Sequence, residues 1–114
     1  MRYLAVDPGS KNIGLAISDL SGTIANPLMV LKHISRDRDA ELIVEHAIKN
    51  NVLKIIVGQS INDEDGEPTF EGRQSARLAY TIAQKTSLPV ELWNEGYSTQ
   101  EAKQTRLLMK VSRT

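Results

Sequence analysis

Short apolar runs separated by turn residues occupy the first third of the chain. Tyr3–Asp7 is rich in strand-forming residues, and Ile13–Ser18 resumes the pattern after the turn sequence PGSKN. A second turn at Ser21-Gly22 leads to a third predicted strand over Thr23–Leu31. Pro27 favours an edge or a bulge for that strand, because proline has no N–H to donate to a neighbouring strand. The pattern therefore predicts an antiparallel meander of three strands.

The spacing of apolar residues then becomes helical, with a further strand after each of two helices. Leu53–Gly58, with the sequence LKIIVG, is a nearly continuous apolar run of the kind that forms a strand buried on both faces. A polar loop containing NDEDGEP leads into a helix over Thr69–Thr86, and Val90–Trp93 predicts a fifth strand. The first helix, Asp37–Lys49, carries its apolar face on Ala40, Ile43, Val44, Ala47 and Ile48.

The order of these elements indicates an open α/β sheet. The sequence STQE, with Ser98 facing Glu101, is a capping box that opens a last helix, so the order is β-β-β-α-β-α-β-α. Strands connected through helices pair in parallel by right-handed crossovers, so the fourth and fifth strands are expected to run parallel to the first. Such sheets bind ligands at the C-terminal ends of these strands, where the chain has the loops DPGSK, GQSINDEDGE and NEGYS. No repeat or low-complexity linker interrupts residues 1–114, so we expect one domain.

Composition and charge limit the classes of function. Fourteen basic and 14 acidic residues give no net charge, so any contact with nucleic acid has to depend on local cations. Arg73 and Arg77 lie on a predicted helix, where a solvated helix face is the simpler interpretation. The absence of cysteine excludes disulfides and thiolate metal sites. The sequence has no leader and no apolar run of about 20 residues, so we expect a soluble, cytoplasmic protein without membrane contact.

Two acidic residues mark the predicted ligand-binding edge, since Asp7 ends the first strand and Glu95 follows the fifth. Two carboxylates at the ends of parallel strands can share Mg²⁺ or Mn²⁺, which prefer oxygen ligands and promote phosphodiester cleavage. Each residue also has a structural interpretation, because aspartate before Pro-Gly forms turns and glutamate after a strand is commonly solvated. His33 and His46 have no partner at a spacing typical of zinc sites. Spacing alone leaves these alternatives open.

Three motifs, in order, resemble the YqgF/RuvX family, and the resemblance runs along the whole chain. DPGSKNIGLAISD resembles the family's first motif, Asp-x-Gly-Thr/Ser-Lys-x-Ile-Gly. KIIVGQSINDEDG resembles a family strand and loop that usually read Val-Gly-Leu-Pro and then Asn-x-Asp-Gly. LPVELWNEGYSTQEA resembles the family segment Trp-Asp-Glu-Arg-Leu-Ser/Thr-Thr-x-Glu-Ala. Three motifs in the same order are much more specific than any one of them.

The resemblance implies an RNase H-like fold and a nuclease activity. The family is related in fold to the Holliday junction resolvase RuvC, with a five-stranded mixed sheet in the order 3-2-1-4-5. Its activity is described both as trimming of the precursor of 16S ribosomal RNA and as resolution of Holliday junctions, so nucleic acid is the expected partner. By this resemblance Asp7 and Glu95 are catalytic carboxylates that bind Mg²⁺ or Mn²⁺. The candidate contacts to nucleic acid are Lys11 in the turn, Arg73 and Arg77.

The chain departs from the family pattern at three places. Asn94-Glu95-Gly96 replaces Asp-Glu-Arg, which removes one carboxylate and one guanidinium. Gln59-Ser60 replaces Leu-Pro beside the expected site. The family pattern continues beyond the helix near Ser98 into a final helix with a third catalytic aspartate, whereas this sequence stops at Thr114. We therefore expect a C-terminally truncated family domain and a weak nuclease.

Two other functions share parts of this pattern. The opening motif also resembles the phosphate-binding hairpin of actin-like kinases and ATPases, which need a second domain that 114 residues cannot hold. A nucleic-acid-binding or protein-binding module with the same fold and no catalysis is favoured by the neutral charge, Asn94 and Gly96. Such a module has no need for both Asp7 and Glu95 at one edge. The choices between RNA and DNA, and between a monomer and a homodimer, stay open.

Overall fold

A computed structural model describes residues 2–18, 25–62 and 64–94 of the chain. Its strands are β1 (Tyr3–Pro8), β2 (Asn12–Ser18), β3 (Ala25–Lys32), β4 (Lys54–Gln59) and β5 (Val90–Asn94), and its helices are α1 (Arg36–Lys49) and α2 (Phe70–Gln84). The five strands form one mixed sheet in the order β3-β2-β1-β4-β5. This order confirms the one that the family resemblance implies. The helix predicted at Ser98 lies outside the described residues.

The three N-terminal strands form the predicted meander. β1 pairs antiparallel with β2, and β2 pairs antiparallel with β3. The β1–β2 turn is closed by a hydrogen bond in which the Gly9 N–H donates to the Asn12 carbonyl oxygen at 2.8 Å. The β2–β3 register shifts between Leu15 and Ala16, and Ala16 pairs with Pro27. Pro27 therefore lies at an irregularity of the edge strand, as its missing N–H predicts.

The other two strands join the sheet through helical crossovers. β4 pairs in parallel with β1, and β5 pairs in parallel with β4. Each intervening helix begins at a side-chain cap: Ser35 Oγ accepts from the Arg38 N–H at 3.1 Å, and Thr69 Oγ1 accepts from the Gly72 N–H at 3.0 Å. The C-terminal ends of β1, β4 and β5 consequently point to the same edge of the sheet, as predicted.

Both helices pack on one face of the sheet and form the main core there. Side chains of α1 and α2 meet strand residues on this face, and the fully buried members include Val6, Ile43, Ile55 and Ile82. None of the described helices is long and apolar enough to cross a membrane. We call this side of the sheet the helix face.

One detail of the predicted α1 surface is wrong. Ile48, which the apolar spacing assigned to the buried face, is 64% exposed. Asp39 is instead 2% exposed and lies among the buried residues of α1. Asp39 precedes the buried Ile43 by four residues, so the two occupy one helical stripe whatever their polarity. A count of apolar residues alone misses such a carboxylate.

The opposite side of the sheet, which we call the second face, has a smaller core. Ala5, Ala16 and Ile56 are buried there, with Tyr3 and Trp93 packed against them. Trp93 therefore belongs to the strand core, as its position in β5 predicts. Because side chains alternate along a strand, the residues of β1 that share this face with Ala5 are Tyr3 and Asp7. Among the described residues, no helix packs on this face.

Candidate active site

Asp7 lies near the C-terminal end of β1, on the second face, and is 5% exposed. On one side it pairs directly with Gly14 of β2. On the other side the pair Val6–Val57 joins β1 to β4, so Asp7 and Gly58 follow at the next level of the sheet. A glycine therefore stands beside Asp7 on each neighbouring strand. Neither strand places a side chain next to the carboxylate at this level.

The same row of the sheet continues to β5. Gly58 pairs with Trp93, so Asp7, Gly58 and Trp93 lie at one level across three strands. Glu95 comes two residues after Trp93 and lies outside the described residues. Its predicted position beside Asp7 therefore stays a prediction. The structure shows that β1, β4 and β5 run parallel and reach the same edge of the sheet.

A cavity of about 350 Å³ adjoins Asp7 on this face. It is lined by the β1–β2 turn and by flanking strand residues, including Asp7, Lys11, Gly14 and Val30. The turn needs glycine at position 9, because a Cβ there would lie 2.6 Å from the Asn12 carbonyl oxygen. The tight turn thus brings Lys11 and Asp7 to the same cavity. A carboxylate beside an ammonium group suits a site that handles phosphate and a cation.

The donor chemistry of Asp7 fits a hard divalent cation, since its carboxylate oxygens are the ligand type that Mg²⁺ and Mn²⁺ prefer. The glycines on both sides leave room for further ligands. Within residues 2–18, 25–62 and 64–94, no three acidic or histidine side chains cluster in a way that could hold a metal ion. Asp7 is the candidate metal ligand that the described residues place at this cavity.

Two of the predicted nucleic-acid contacts lie away from Asp7. Arg73 and Arg77 are exposed residues of α2, which packs on the helix face, whereas Asp7 projects from the second face. The Arg73 Nη1 donates to the carbonyl oxygen of Pro68 at 3.0 Å. Lys11 alone of the three predicted cations lines the cavity of Asp7.

Lys54 is a further cation on the second face, but its charge is engaged by a neighbouring strand. Its Nζ lies 2.5 Å from Oε2 of Glu91 and 5.4 Å from the centroid of the Tyr3 ring. The hydrogen bond to Glu91 raises the pKa of Lys54 above its ordinary value. Lys54 pairs with Tyr3 at the start of β1, so this cluster lies at the opposite end of the strand from Asp7.

The unusual Gln59-Ser60 pair connects β4 to α2 on the helix face. The Gln59 Nε2 donates to the Gly72 carbonyl oxygen at 3.1 Å, and the Ser60 and Thr69 hydroxyl oxygens lie 2.5 Å apart. These contacts hold the N-terminal turn of α2 against the end of β4. Gln59 thus has a structural role and does not face the cavity of Asp7.

A hydrogen-bonded pair that the sequence pattern did not predict, His33 and Asp39, lies on the helix-face side of the β1–β2 turn. His33 Nδ1 contacts Asp39 Oδ2, and Asp39 Oδ1 accepts from the Ile34 N–H at 3.0 Å. The His33 N–H donates to the Lys11 carbonyl oxygen at 2.9 Å, which attaches this segment to the turn. A second cavity, of about 370 Å³, opens beside the pair. The position of Asp39 on the buried stripe of α1 was the signal in the sequence that could have indicated the His33–Asp39 pair.

Proteins with curated names are similar to this chain over most of its length. A protein of Agrobacterium fabrum, named as a candidate pre-16S rRNA nuclease, is 37% identical over 108 residues. The alignment covers 95% of this chain and 67% of that protein. A protein of the same name from Thermoanaerobacter pseudethanolicus is 39% identical over 102 residues, covering 90% of this chain and 73% of the relative. The chain thus spans about two thirds to three quarters of these relatives' lengths.

Solved structures support the fold independently. RuvC of Thermus thermophilus superposes with a TM-score of 0.61 at 16% identity, covering 97% of this chain and 81% of RuvC. The same protein in complex with a Holliday junction gives a TM-score of 0.60 over 82% of this chain and 65% of that chain. At this identity the likeness concerns the fold, and it confirms the expected RNase H-like architecture.

A family model described as RuvX, Holliday junction resolvase, matches residues 1–114. This match and the relatives above confirm the family that the three sequence motifs indicated. The chain belongs to the RuvX family of nucleases.

Proposed function

We propose that this chain is a metal-dependent nuclease that trims the 5′ end of the 16S ribosomal RNA precursor, resolves Holliday-junction-like DNA, or does both. The observation that carries the proposal is the setting of Asp7. Its carboxylate ends a central parallel strand between two glycines and shares a cavity with Lys11. Family membership supplies the reaction class, hydrolysis of a phosphodiester bond.

Each residue has a defined part in this proposal. Asp7 and Glu95 would hold Mg²⁺ or Mn²⁺ at the C-terminal edge of the sheet. The bound cation would activate water and offset negative charge on the phosphate. Lys11 binds a phosphate of the substrate strand and orients it toward Asp7. Gly14 and Gly58 leave the space beside Asp7 that the phosphate enters.

Arg73 and Arg77 have a secondary part as contacts to the nucleic acid beyond the cut. They lie on the other face of the sheet from Asp7, so they belong to binding and not to the chemical step. Their removal would weaken binding of the nucleic acid without changing the rate at which the bound complex is cleaved. The enzyme would act in the cytoplasm. It would act as a monomer on an RNA end and as a homodimer on a four-way junction, which presents two symmetric strands.

The proposal is tested by incubating the chain with an end-labelled 16S rRNA precursor fragment and with a labelled four-way DNA junction. Each substrate is tested with Mn²⁺, with Mg²⁺ and with a chelator. We expect cleavage of at least one substrate that stops when the cation is removed. Cleavage that persists in the chelator would contradict metal dependence, and failure to cut either substrate would contradict the nuclease.

A binding module with the same fold is the second candidate. Asn94-Glu95-Gly96 favours it, because a family Asp-Glu-Arg segment would supply one more carboxylate and one guanidinium. Its outcome in the same experiment is distinct. It predicts retention of labelled nucleic acid in a mobility-shift assay with no cleavage under any of the three conditions.

A further inference from the structure

A second cavity lies across the β1–β2 turn from Asp7. It measures about 370 Å³, within the range of about 300–1,000 Å³ that small-ligand sites occupy. The two cavities share Pro8, Gly9 and Ser10 of the turn as a common wall. The β1–β2 turn is therefore what separates the second cavity from the cavity of Asp7.

The lining of this cavity combines apolar, aromatic and polar groups. Ile13 and Leu78 of the main core form its apolar part. Phe70, the only phenylalanine of the chain, lies at its border and is 63% exposed. Arg36 at the start of α1 and Gln74 in the N-terminal half of α2 also line the cavity. Arg36 Nη2 donates to Gln74 Oε1 at 3.2 Å. An exposed ring beside an apolar floor, with a guanidinium nearby, is suited to stacking a nucleobase.

The lining also includes the buried carboxylate of Asp39, whose repulsion of an anionic ligand is reduced by its hydrogen bonds. Both Asp39 oxygens have internal donors, one from His33 and one from the Ile34 N–H. Because Asp39 engages Nδ1, His33 has only Nε2 left for a ligand. Asp39 therefore positions His33, and the groups available to a nucleotide are His33, Arg36, Gln74 and the Phe70 ring.

We propose that this cavity is a nucleotide subsite that takes an unpaired base of the substrate strand, stacked on Phe70, next to the phosphate that Lys11 binds beside Asp7. The inference rests on the proposed nuclease function and adds a substrate class to it. A base in a duplex is stacked and paired, so it cannot enter a cavity of this size without leaving the helix. The subsite thus favours nucleic acid that is single-stranded at the nucleotide flanking the cut.

The test measures binding and does not depend on cleavage. A short fluorescein-labelled RNA, alone or annealed to its complement, is titrated with the chain in a chelator, and fluorescence anisotropy gives the two affinities. Phe70→Ala should weaken binding of the single strand about 5- to 140-fold, the effect of one lost base–aromatic stack. Binding of the duplex should change less than about twofold.

Two further variants separate stacking from other effects of the substitution. Phe70→Trp should keep single-strand binding, whereas Phe70→Leu, which keeps apolar bulk without a ring, should lose it. Tyr80→Ala is the matched control, since Tyr80 is a similarly exposed aromatic residue of α2 that does not line the cavity. It should leave both affinities unchanged.

Three results would overturn the proposal. Phe70→Ala could leave single-strand binding intact, it could weaken binding of the single strand and of the duplex equally, or the unmodified chain could fail to bind the single strand. These outcomes leave the nuclease assay unaffected, because that assay measures metal-dependent cleavage. Conversely, a chain that binds the single strand through Phe70 but never cleaves it would contradict the nuclease and keep the subsite.

Discussion

Asp7 stands directly opposite Gly14 in the β1–β2 ladder, at the level where β4 carries Gly58. A carboxylate that only shaped the turn would tolerate any strand residue as its neighbour. Glycine on both sides instead leaves space around an acidic group at the end of a central strand. This space, the turn beside it and the contacts that hold α1 and α2 can each be tested by substitution.

Filling the space beside Asp7 should impair catalysis without unfolding the sheet. Gly14 lines the cavity of Asp7, so Gly14→Val would project its side chain there. Valine is favourable in a strand, so the fold should persist. We expect cleavage to fall at least about tenfold, about 1.4 kcal/mol of lost transition-state stabilisation. Initial cleavage rates and circular dichroism check both parts, and a fully active, folded variant would contradict the proposed site.

Lys11 should contribute one phosphate contact. Its removal in Lys11→Ala should weaken binding of all sequences alike and lower the slope of log affinity against log salt by about 1. Titrations at several salt concentrations in a chelator measure this slope. Lys49→Ala is the control, because Lys49 is an exposed residue in the last turn of α1 and lines neither cavity. Equal effects of the two substitutions would show that Lys11 has no special contact.

The His33–Asp39 pair should stabilise the fold more than a surface ion pair does. Asp39 is buried, so His33→Ala removes a hydrogen-bond partner from a carboxylate that has little contact with water in the folded protein. A double-mutant cycle with His33→Ala and Asp39→Ala, measured by urea unfolding, should give a coupling free energy of about 1–3 kcal/mol. The exposed Arg38–Glu41 pair, 3.2 Å apart, is the control and should give less than about 1 kcal/mol. Similar values for the two pairs would contradict the prediction.

Gly72 should be essential to the contact between α2 and β4. A Cβ at this position would lie 2.1 Å from the Ser60 carbonyl oxygen, closer than any relaxed contact. Gly72→Ala should therefore destabilise the protein by about 1–3 kcal/mol, although alanine favours helices by about 1 kcal/mol over glycine. Urea unfolding measures the change, with the exposed Gln84 of α2 replaced by alanine as the control. A more stable Gly72→Ala protein would show that α2 does not approach Ser60 this closely.

Much of the fold could be predicted because its signals are local. The turn before Lys11 and the continuous apolar run at Ile55–Val57 depend on short stretches of sequence. The parallel pairing then follows from the order of strands and helices. Family motifs added the strand order and the importance of Asp7.

The rest depends on contacts between distant segments. Placing Arg73 on a helix does not say which face of the sheet that helix covers, and the structure puts it opposite Asp7. The cavity beside Phe70 joins the turn, α1 and α2, so no single stretch of sequence indicates it. Asp39 was hidden by a search for apolar residues only, although its position matches the stripe of Ile43.

The most direct test of the account is the single-turnover cleavage rate of Asp7→Asn in Mn²⁺. This change keeps the size of the side chain and removes the charge that the proposal assigns to the cation. Asp37→Asn, at an exposed aspartate of α1, is the matched control. We predict a loss of about a thousandfold for Asp7→Asn, corresponding to about 4 kcal/mol, and an unchanged rate for the control. A folded Asp7→Asn protein that cleaves at the original rate would contradict the central claim that Asp7 is the catalytic carboxylate.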